Sequence, residues 1–252
     1  MNGSKRLLSY VRRAAEDYKM ITDGDVIAVG VSGGKDSLSL LYALAMMRRF
    51  YPEKYEVKAI SVDMGFDGAD FSAIEAFCEK LNVEFIKVPT EISKIIFDIR
   101  KESNPCSLCA KMRRGALHSA AKENGCNKVA LGHHFDDVVE TFMLNLFYEG
   151  RIGAFRPVTY LSRTEITVIR PLIYMPEKDI RYFAQNENLP VMKSPCPADG
   201  NTEREKMKQL LRTLDRENRG LRYRIFGAIQ RAGIDGFAET PGMQGIKAYE
   251  EE

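Results

Sequence analysis

No stretch of about 18 consecutive apolar residues occurs in the 252-residue chain, so no membrane span is expected. The N-terminus lacks the basic, then apolar, then small-residue order of a secretion signal. Met1–Lys19 reads instead as a basic amphipathic helix with Leu7, Leu8, Val11, Ala14, Ala15 and Tyr18 on one side. A cytoplasmic protein is expected. Excess charge of one sign is also missing: 37 Lys and Arg against 35 Asp and Glu leave +2, so any polyanion partner must show in the distribution of charge. Cysteine is scarce, at five residues. In a reducing compartment these are free thiols, and clustering among them points to metal or redox chemistry rather than disulfides. There is no internal repeat and no low-complexity block.

What the chain does have is alternation. Val26–Val31 is a continuous β-branched run, as in a buried parallel strand. A glycine turn at Ser32–Ser37 follows, then Leu38, Leu40, Leu41, Leu44 and Ala45 at helical spacing. Further strands are predicted at Val57–Asp63, Val83–Val88, Lys128–Gly132 and Thr167–Leu172. Helices are predicted at Asp70–Leu81, Ile92–Lys101, Leu108–Asn124, Asp136–Tyr148, Glu177–Asn188, Glu203–Arg219 and Leu221–Ala232. Strands alternating with helices argue for an α/β fold with a doubly wound, mostly parallel sheet, plus helical additions at both ends. Ser194-Pro195-Cys196-Pro197 reads as a rigid non-helical turn. The expected organisation is one domain over residues 1–232 and a flexible tail over 233–252.

Ser32-Gly33-Gly34-Lys35-Asp36-Ser37 carries the strongest signal. Two glycines let backbone N–H groups face a ligand, the helix start favours an anion, Lys35 adds a positive charge, and the serines add hydroxyls. The spacing is neither that of the mononucleotide P-loop nor that of the dinucleotide fingerprint. It resembles the pyrophosphatase-loop users of ATP, which cleave between the α and β phosphates and pass AMP to a substrate. Two more segments match that family, both at carboxyl ends of strands where open α/β sheets bind ligands. One ends in Asp63-Met64-Gly65, where the resemblance puts the nucleoside. The other is Gly132-His133-His134-Phe135-Asp136-Asp137-Val138-Val139-Glu140-Thr141. Asp136 and Asp137 are either helix caps or, beside the histidines, oxygen ligands for Mg²⁺ on phosphates. His133 and His134 read as ATP or substrate contacts.

Among the cysteines, Cys78 and Cys126 read as buried structural thiols. Cys106-Ser107-Leu108-Cys109 is a C-x₂-C pair, and Cys196 is the third plausible ligand. A redox pair goes with another fold. A structural zinc site wants four ligands, and His118 lies roughly 13 Å along a helix from Cys109. Three thiolates suit a [4Fe–4S] cluster with one iron left open. From Glu203 to Arg231 there are nine Lys and Arg against four Asp and Glu, with Arg212, Arg216, Arg219, Arg222 and Arg224 recurring and Tyr223 and Phe226 interleaved. Lys5, Arg6, Arg12 and Arg13 form a second patch. Such runs are either solvated helix faces or an RNA footprint; together they favour RNA.

The order of motifs — phosphate loop, C-x₂-C followed by Arg113 and Arg114, Gly-His-His-Phe-Asp-Asp, third cysteine — resembles the tRNA 2-thiocytidine biosynthesis proteins over about Lys5 to Gln230. The resemblance implies an adenine nucleotide alpha-hydrolase-like fold, a homodimer, and a tRNA substrate thiolated at cytidine 32. It implies ATP and Mg²⁺, and a [4Fe–4S] cluster on Cys106, Cys109 and Cys196. ATP contacts fall on Ser32, Gly33, Gly34, Lys35, Asp36, Ser37, Asp63, Gly132, His133 and Asp137. Asp36, Arg113 and Asp136 join the cysteines in catalysis, while Arg114 and the basic helices hold RNA. The sulfur donor is a persulfide or sulfide source. The related thiouridine enzymes carry zinc fingers at both ends and this chain has none, which favours the cytidine branch. Three rival readings compete with this one. Lysidine synthetase shares the loop but needs no cysteine triad. A small-molecule sulfur enzyme keeps ATP and sulfur without RNA, and a zinc-bearing RNA-binding protein keeps RNA without catalysis.

Overall fold

A computed structural model describes residues 3–66, 68–100, 105–192, 196 and 202–237. The chain opens with helix α1 (Gly3–Asp17), whose Leu7, Val11, Ala14 and Ala15 are fully buried, the face expected from the sequence. Strand β1 (Asp25–Gly30) and helix α2 (Lys35–Met47) follow, then β2 (Tyr55–Asp63), α3 (Ser72–Lys80) and β3 (Glu84–Pro89). Next come the short α4 (Ile92–Lys94), a π-helical turn at Ile95–Ile99, α5 (Pro105–Glu123), β4 (Lys128–Ala130) and α6 (Phe135–Tyr148). The chain ends in β5 (Val158–Leu161), β6 (Ile166–Ile169), α7 (Glu177–Asn186), α8 (Glu203–Glu217) and α9 (Leu221–Arg231).

The six strands form one sheet in the order β3-β2-β1-β4-β6-β5, parallel except for β5. β1 and β4 are neighbours in the sheet but far apart in sequence. Connections leave this point in opposite directions, which opens a crevice at their carboxyl ends. At the other end of the same strands Lys128 Nζ meets the Asp25 carboxylate at 2.6 Å and the Met20 carbonyl at 2.9 Å. A charge buried there is tolerated because it is paired and hydrogen-bonded.

Four sequence expectations change. The strand expected over Thr167–Leu172 starts one residue earlier and stops at Ile169, because Pro171 has no N–H to extend the ladder. Strand β5 was not foreseen: its four residues, Val-Thr-Tyr-Leu, are too few to show a period. It closes a hairpin in which Glu165 adopts φ +56° and donates its N–H to Leu161 O at 2.7 Å. Helix α5 starts at Pro105 rather than Leu108, with proline at a position that has no amide bond to lose. The tail expected from residue 233 is packed at least to Phe237, which is buried against Phe226 and Tyr18 at ring-centroid distances of 5.7 and 6.1 Å. Asp235 fastens it by accepting the Ala154 N–H at 2.7 Å. The rest of that tail, and most of the expected Ser-Pro-Cys-Pro turn, lie outside the described residues.

Candidate functional site

The turn after β1 is built as the glycines required. Gly33 sits at φ +80°, a conformation that costs a side-chain-bearing residue strain. Ser37 Oγ donates to the Gly34 carbonyl at 2.9 Å and accepts the Ser32 N–H at 3.2 Å. The Ser37 hydroxyl therefore closes the loop on itself. Gly132 lies against the start of α2, where a Cβ would come within 3.1 Å of the Asp36 and Ser37 backbone. The two ligand-facing turns, after β1 and after β4, touch because that residue has no side chain.

His134 caps α6: its Nδ1 accepts the Asp137 N–H at 3.4 Å, and the Asp137 carboxylate accepts the His134 N–H at 2.9 Å. The reciprocal pair fixes Asp137 at the crevice mouth. His134 Nε2 is 3.8 Å from Asp36 Oδ1, an oxygen that is buried and without a hydrogen-bond partner. Between these turns lies a cavity of about 230 Å³, lined among others by Lys35, Asp36, Asp137, Glu177, Arg204 and Lys208. A larger hollow of about 580 Å³ lies by β3 and is walled by Glu75, Glu79 and Glu84, a poor seat for phosphate.

Charge in the cavity is arranged around Lys35. Its ammonium is 3.1 Å from Asp36 and 3.1 Å from Glu177. Burial works against the charge, but the two carboxylates outweigh it and hold the pKa above the ordinary lysine value. Glu177 in turn meets Lys208 at 2.8 Å and Arg181 at 3.2 Å. Its carboxyl is held down to about 2, because Lys208 and Lys35 overcome the desolvation that would raise it. Arg204 spans Glu140 at 3.4 Å and Asp137 at 3.6 Å.

Glu140 is the opposite case. It is buried, and desolvation with the Asp137 charge pushes its carboxyl up to about 7 despite Arg204 and Lys208. A carboxyl whose pKa rises on folding costs nothing below its unfolded value. The penalty grows as pH rises from there and is complete above about 7. Glu140→Gln is therefore expected to stabilise the ligand-free protein at pH 8 by about 2 kcal/mol, roughly 4–8 °C in Tm, with no gain near pH 4.5. Thermal unfolding at both pH values checks it; an unchanged or lower Tm at pH 8 overturns it.

Two predicted residues do not face the cavity. Asp136 is buried and accepts the Glu177 N–H at 2.7 Å, and its other oxygen pairs with Arg222 at 2.5 Å. It ties α6 to α7 and α9. Arg222, expected on RNA, is engaged by Asp136 and by Asp215 at 3.4 Å. Arg224 bonds the Arg219 carbonyl and the Asn218 side chain. Arg212, Arg216 and Arg219 remain exposed on α8 and its C-terminal end. Asp63 ends β2 with its carboxylate on the Gly65 N–H and on Lys87, each at 3.0 Å. Desolvation opposes those partners, yet they hold its pKa below the usual range.

Cys106 and Cys109 lie three residues apart in the first turn of α5, one exposed and one half-buried. That spacing puts both thiols on one face, close to a helix start that favours thiolate. Burial raises the Cys109 pKa first; the Arg113 guanidinium then lowers it, and the Cys196 and Cys106 thiols raise it again. Cys109 thus feels both other thiols and Arg113, one helical turn on. Among the described residues no three side chains converge as a preformed metal site. Cys78 and Cys126 are buried, as expected, and burial drives Cys78 to about 11.

The sequence reading missed Glu177, Arg204 and Lys208. Glu177 begins α7 after Pro176, and Arg204 opens α8 after the Thr202 cap; each looked like ordinary helix-start chemistry.

A doubly wound sheet with a non-Walker glycine turn at its switch point defines a class of ATP-binding domain, and the comparisons agree. Residues 7–214 match the PP-loop domain family ATP_bind_3. The chain is 41% identical over 216 residues to the tRNA-cytidine(32) 2-sulfurtransferase of Citrifermentans bemidjiense, covering 84% of this chain and 85% of that protein. It is 40% identical over 228 residues to the enzyme of that name from Geobacter sulfurreducens, covering 89% of each. The U34-tRNA thiolase NcsA from Methanococcus maripaludis, solved with its [4Fe–4S] cluster, superposes with a TM-score of 0.74 at 26% identity, covering 91% of this chain and 79% of that one. The chain belongs to the tRNA-cytidine(32) 2-sulfurtransferase family of PP-loop proteins.

Proposed function

We propose that the chain is an ATP-dependent tRNA sulfurtransferase that replaces the C2 oxygen of cytidine 32 with sulfur. The observation that carries this reading is the placement of a phosphate-loop cavity at the sheet's switch point, with Cys106 and Cys109 together in the first turn of α5. The relatives' name supports the substrate.

The chemistry needs a leaving group. The C2 oxygen of the base attacks the α phosphorus of ATP; an O–P bond forms, the bond to pyrophosphate breaks, and the base is left adenylated. Sulfide then attacks C2, a C–S bond forms, the C–O bond breaks, and AMP departs. Lys35 faces the departing pyrophosphate from the loop, and Arg204 and Lys208 from α8. Preorganised charges of this kind stabilise the transition state without reorganising. Binding of the phosphates releases Lys35 from Glu177, which Lys208 and Arg181 continue to neutralise. Asp36 and Asp137 offer the hard oxygens that Mg²⁺ prefers, Asp36 with an oxygen that has no other partner.

The cysteines fit a [4Fe–4S] cluster by number, by the influence of Cys106 and Cys196 on Cys109, and by the place of Cys106 and Cys109 at a helix start beside Arg113. Cys106, Cys109 and Cys196 would hold it. When bound, it supplies an iron without a protein ligand, a Lewis-acid seat for sulfide. Arg113 orients the Cys109 sulfur. The donor is a persulfide or sulfide source. The same reading places the protein in the cytoplasm as a homodimer; no described helix is long and apolar enough to cross a membrane.

The test is direct. Protein prepared without oxygen is incubated with unmodified tRNA, ATP, Mg²⁺ and sulfide, and the digested nucleosides are resolved by mass spectrometry. 2-Thiocytidine that requires ATP is the expected product. Thiouridine instead would move the assignment to another base, and no thionucleoside would overturn it.

A further inference from the structure

One group of basic side chains near the cavity has little counter-charge among the described residues. Arg170 follows β6 directly, His133 follows β4, and Arg114 and His118 lie one turn apart on α5. Phe155 joins two of them: its ring lies 5.1 Å from the Arg170 guanidinium carbon and 4.9 Å from the His133 ring. Arg170 Nη1 donates to the Arg156 carbonyl at 2.6 Å and to Thr159 Oγ1 at 3.3 Å, which fixes the guanidinium. Three nitrogens of the group are shut off from solvent without a hydrogen-bond partner: Arg170 Nε, His118 Nε2 and His133 Nδ1. Buried polar atoms in folded proteins are nearly always paired, so three orphans from three segments of the chain need an explanation.

The electrostatics point the same way. Burial, then the Arg114 charge, lowers Arg170 to about 10. Burial, then Arg114 and Arg170, lowers His118. Burial takes His133 down to about 4, with Arg170, Arg204 and His134 lowering it and Asp137 alone raising it. Among the described residues no carboxylate offsets Arg170 or His118. A fold that keeps two guanidiniums and two imidazoles together, with Asp137 beside His133 as the one carboxylate among the described residues that offsets any of the buried three, is arranged for an anion that arrives with a ligand.

We propose that Arg170, Arg114, His118 and His133 form the seat for a phosphodiester of the RNA strand that carries the target base. This rests on the function proposed above and deepens it. The seat is bracketed by the two reacting groups. His133 adjoins His134, which faces Asp36 of the phosphate loop. Arg114 is five residues beyond Cys109 on the same helix, a rise of roughly 7–8 Å. A strand anchored between them brings its base to both. The Phe155 ring offers a stacking surface beside the phosphate, as single-stranded RNA requires.

The test uses the full chain and a fluorescein-labelled anticodon stem-loop RNA. Arg114→Gln and Arg170→Gln are each expected to weaken RNA binding about tenfold and to reduce the slope of log K against log salt by about one. Affinity for a fluorescent ATP analogue stays within twofold. Neutralising one backbone phosphate near the target nucleotide as a methylphosphonate should cost the wild type the same factor and Arg170→Gln nothing. Should Arg170→Gln fail to fold, Arg114→Gln, on an exposed helix face, carries the test alone. If the wild type binds RNA and the variants bind it equally well, the seat is wrong and the function stands. If ATP affinity falls instead, the group belongs to the triphosphate site and the seat is wrong. A wild type that binds no RNA overturns the seat and the proposed function together.

Discussion

Cys196→Ala is expected to yield a folded protein that has lost its iron and acid-labile sulfide together with all measurable sulfur transfer. The wild type, purified without oxygen, should carry about four of each per chain. The reason is the sparseness of the ligand set. Cys106 and Cys109 supply two thiols from one helical turn, and Cys196 is the third that acts on Cys109. Two thiolates cannot retain a four-iron cluster, and no other described cysteine is available, since Cys78 and Cys126 are sealed in the core. The fold should be untouched, because Cys196 is only half-buried and contributes little to packing. Iron, zinc and sulfide analysis with the visible spectrum decides it. One zinc and no sulfide in the wild type would remove the cluster. A Cys196→Ala protein with full cluster content would remove Cys196 from it.

Lys35→Ala is expected to leave the cluster intact and to lower ATP-dependent pyrophosphate release by about 100-fold or more, on the order seen when one preorganised charge is removed from a transition state. Nothing else in the loop replaces it. Ser37 is committed to the loop's own hydrogen bonds, and Arg204 and Lys208 stand on α8 rather than in the loop. The variant also leaves Glu177 with two cations instead of three, so its stability should change by less than its activity. Pyrophosphate release and iron content, measured on one preparation, separate the roles. Unchanged release would end the phosphate-cradle reading.

What the sequence revealed and concealed follows from where each piece of chemistry is encoded. The phosphate loop was legible because six consecutive residues carry all of it. Pro105, Cys106 and Cys109 announced themselves likewise, although the start of their helix was placed three residues late. Asp136 and Asp137 show the opposite. Adjacent residues on a helix point about 100° apart, so one faces the cavity and the other the interior. Sequence cannot say which until the partner is known, and the partner is Arg222, 86 residues away. The same bond engages Arg222 within the fold: a basic run describes composition, not which charges already have partners. Glu177 and Lys208 reach the phosphate loop from α7 and α8, and only tertiary folding brings them there.

Met192 has a role beyond filling space. Its N–H donates to the Gly33 carbonyl at 2.9 Å, and its side chain lies over the same glycine, where a Cβ would meet its sulfur at 3.1 Å. Cys196 follows four residues later. Four residues of fully stretched chain reach no more than about 14 Å. The covalent backbone therefore acts as a leash between the glycine turn and Cys196, which on the proposed function are the nucleotide end of the reaction and its sulfur end. Side-chain changes on the outer helices cannot lengthen that leash. On the proposed function, four peptide units therefore put an upper bound on how far Cys196 lies from the turn that holds the nucleotide.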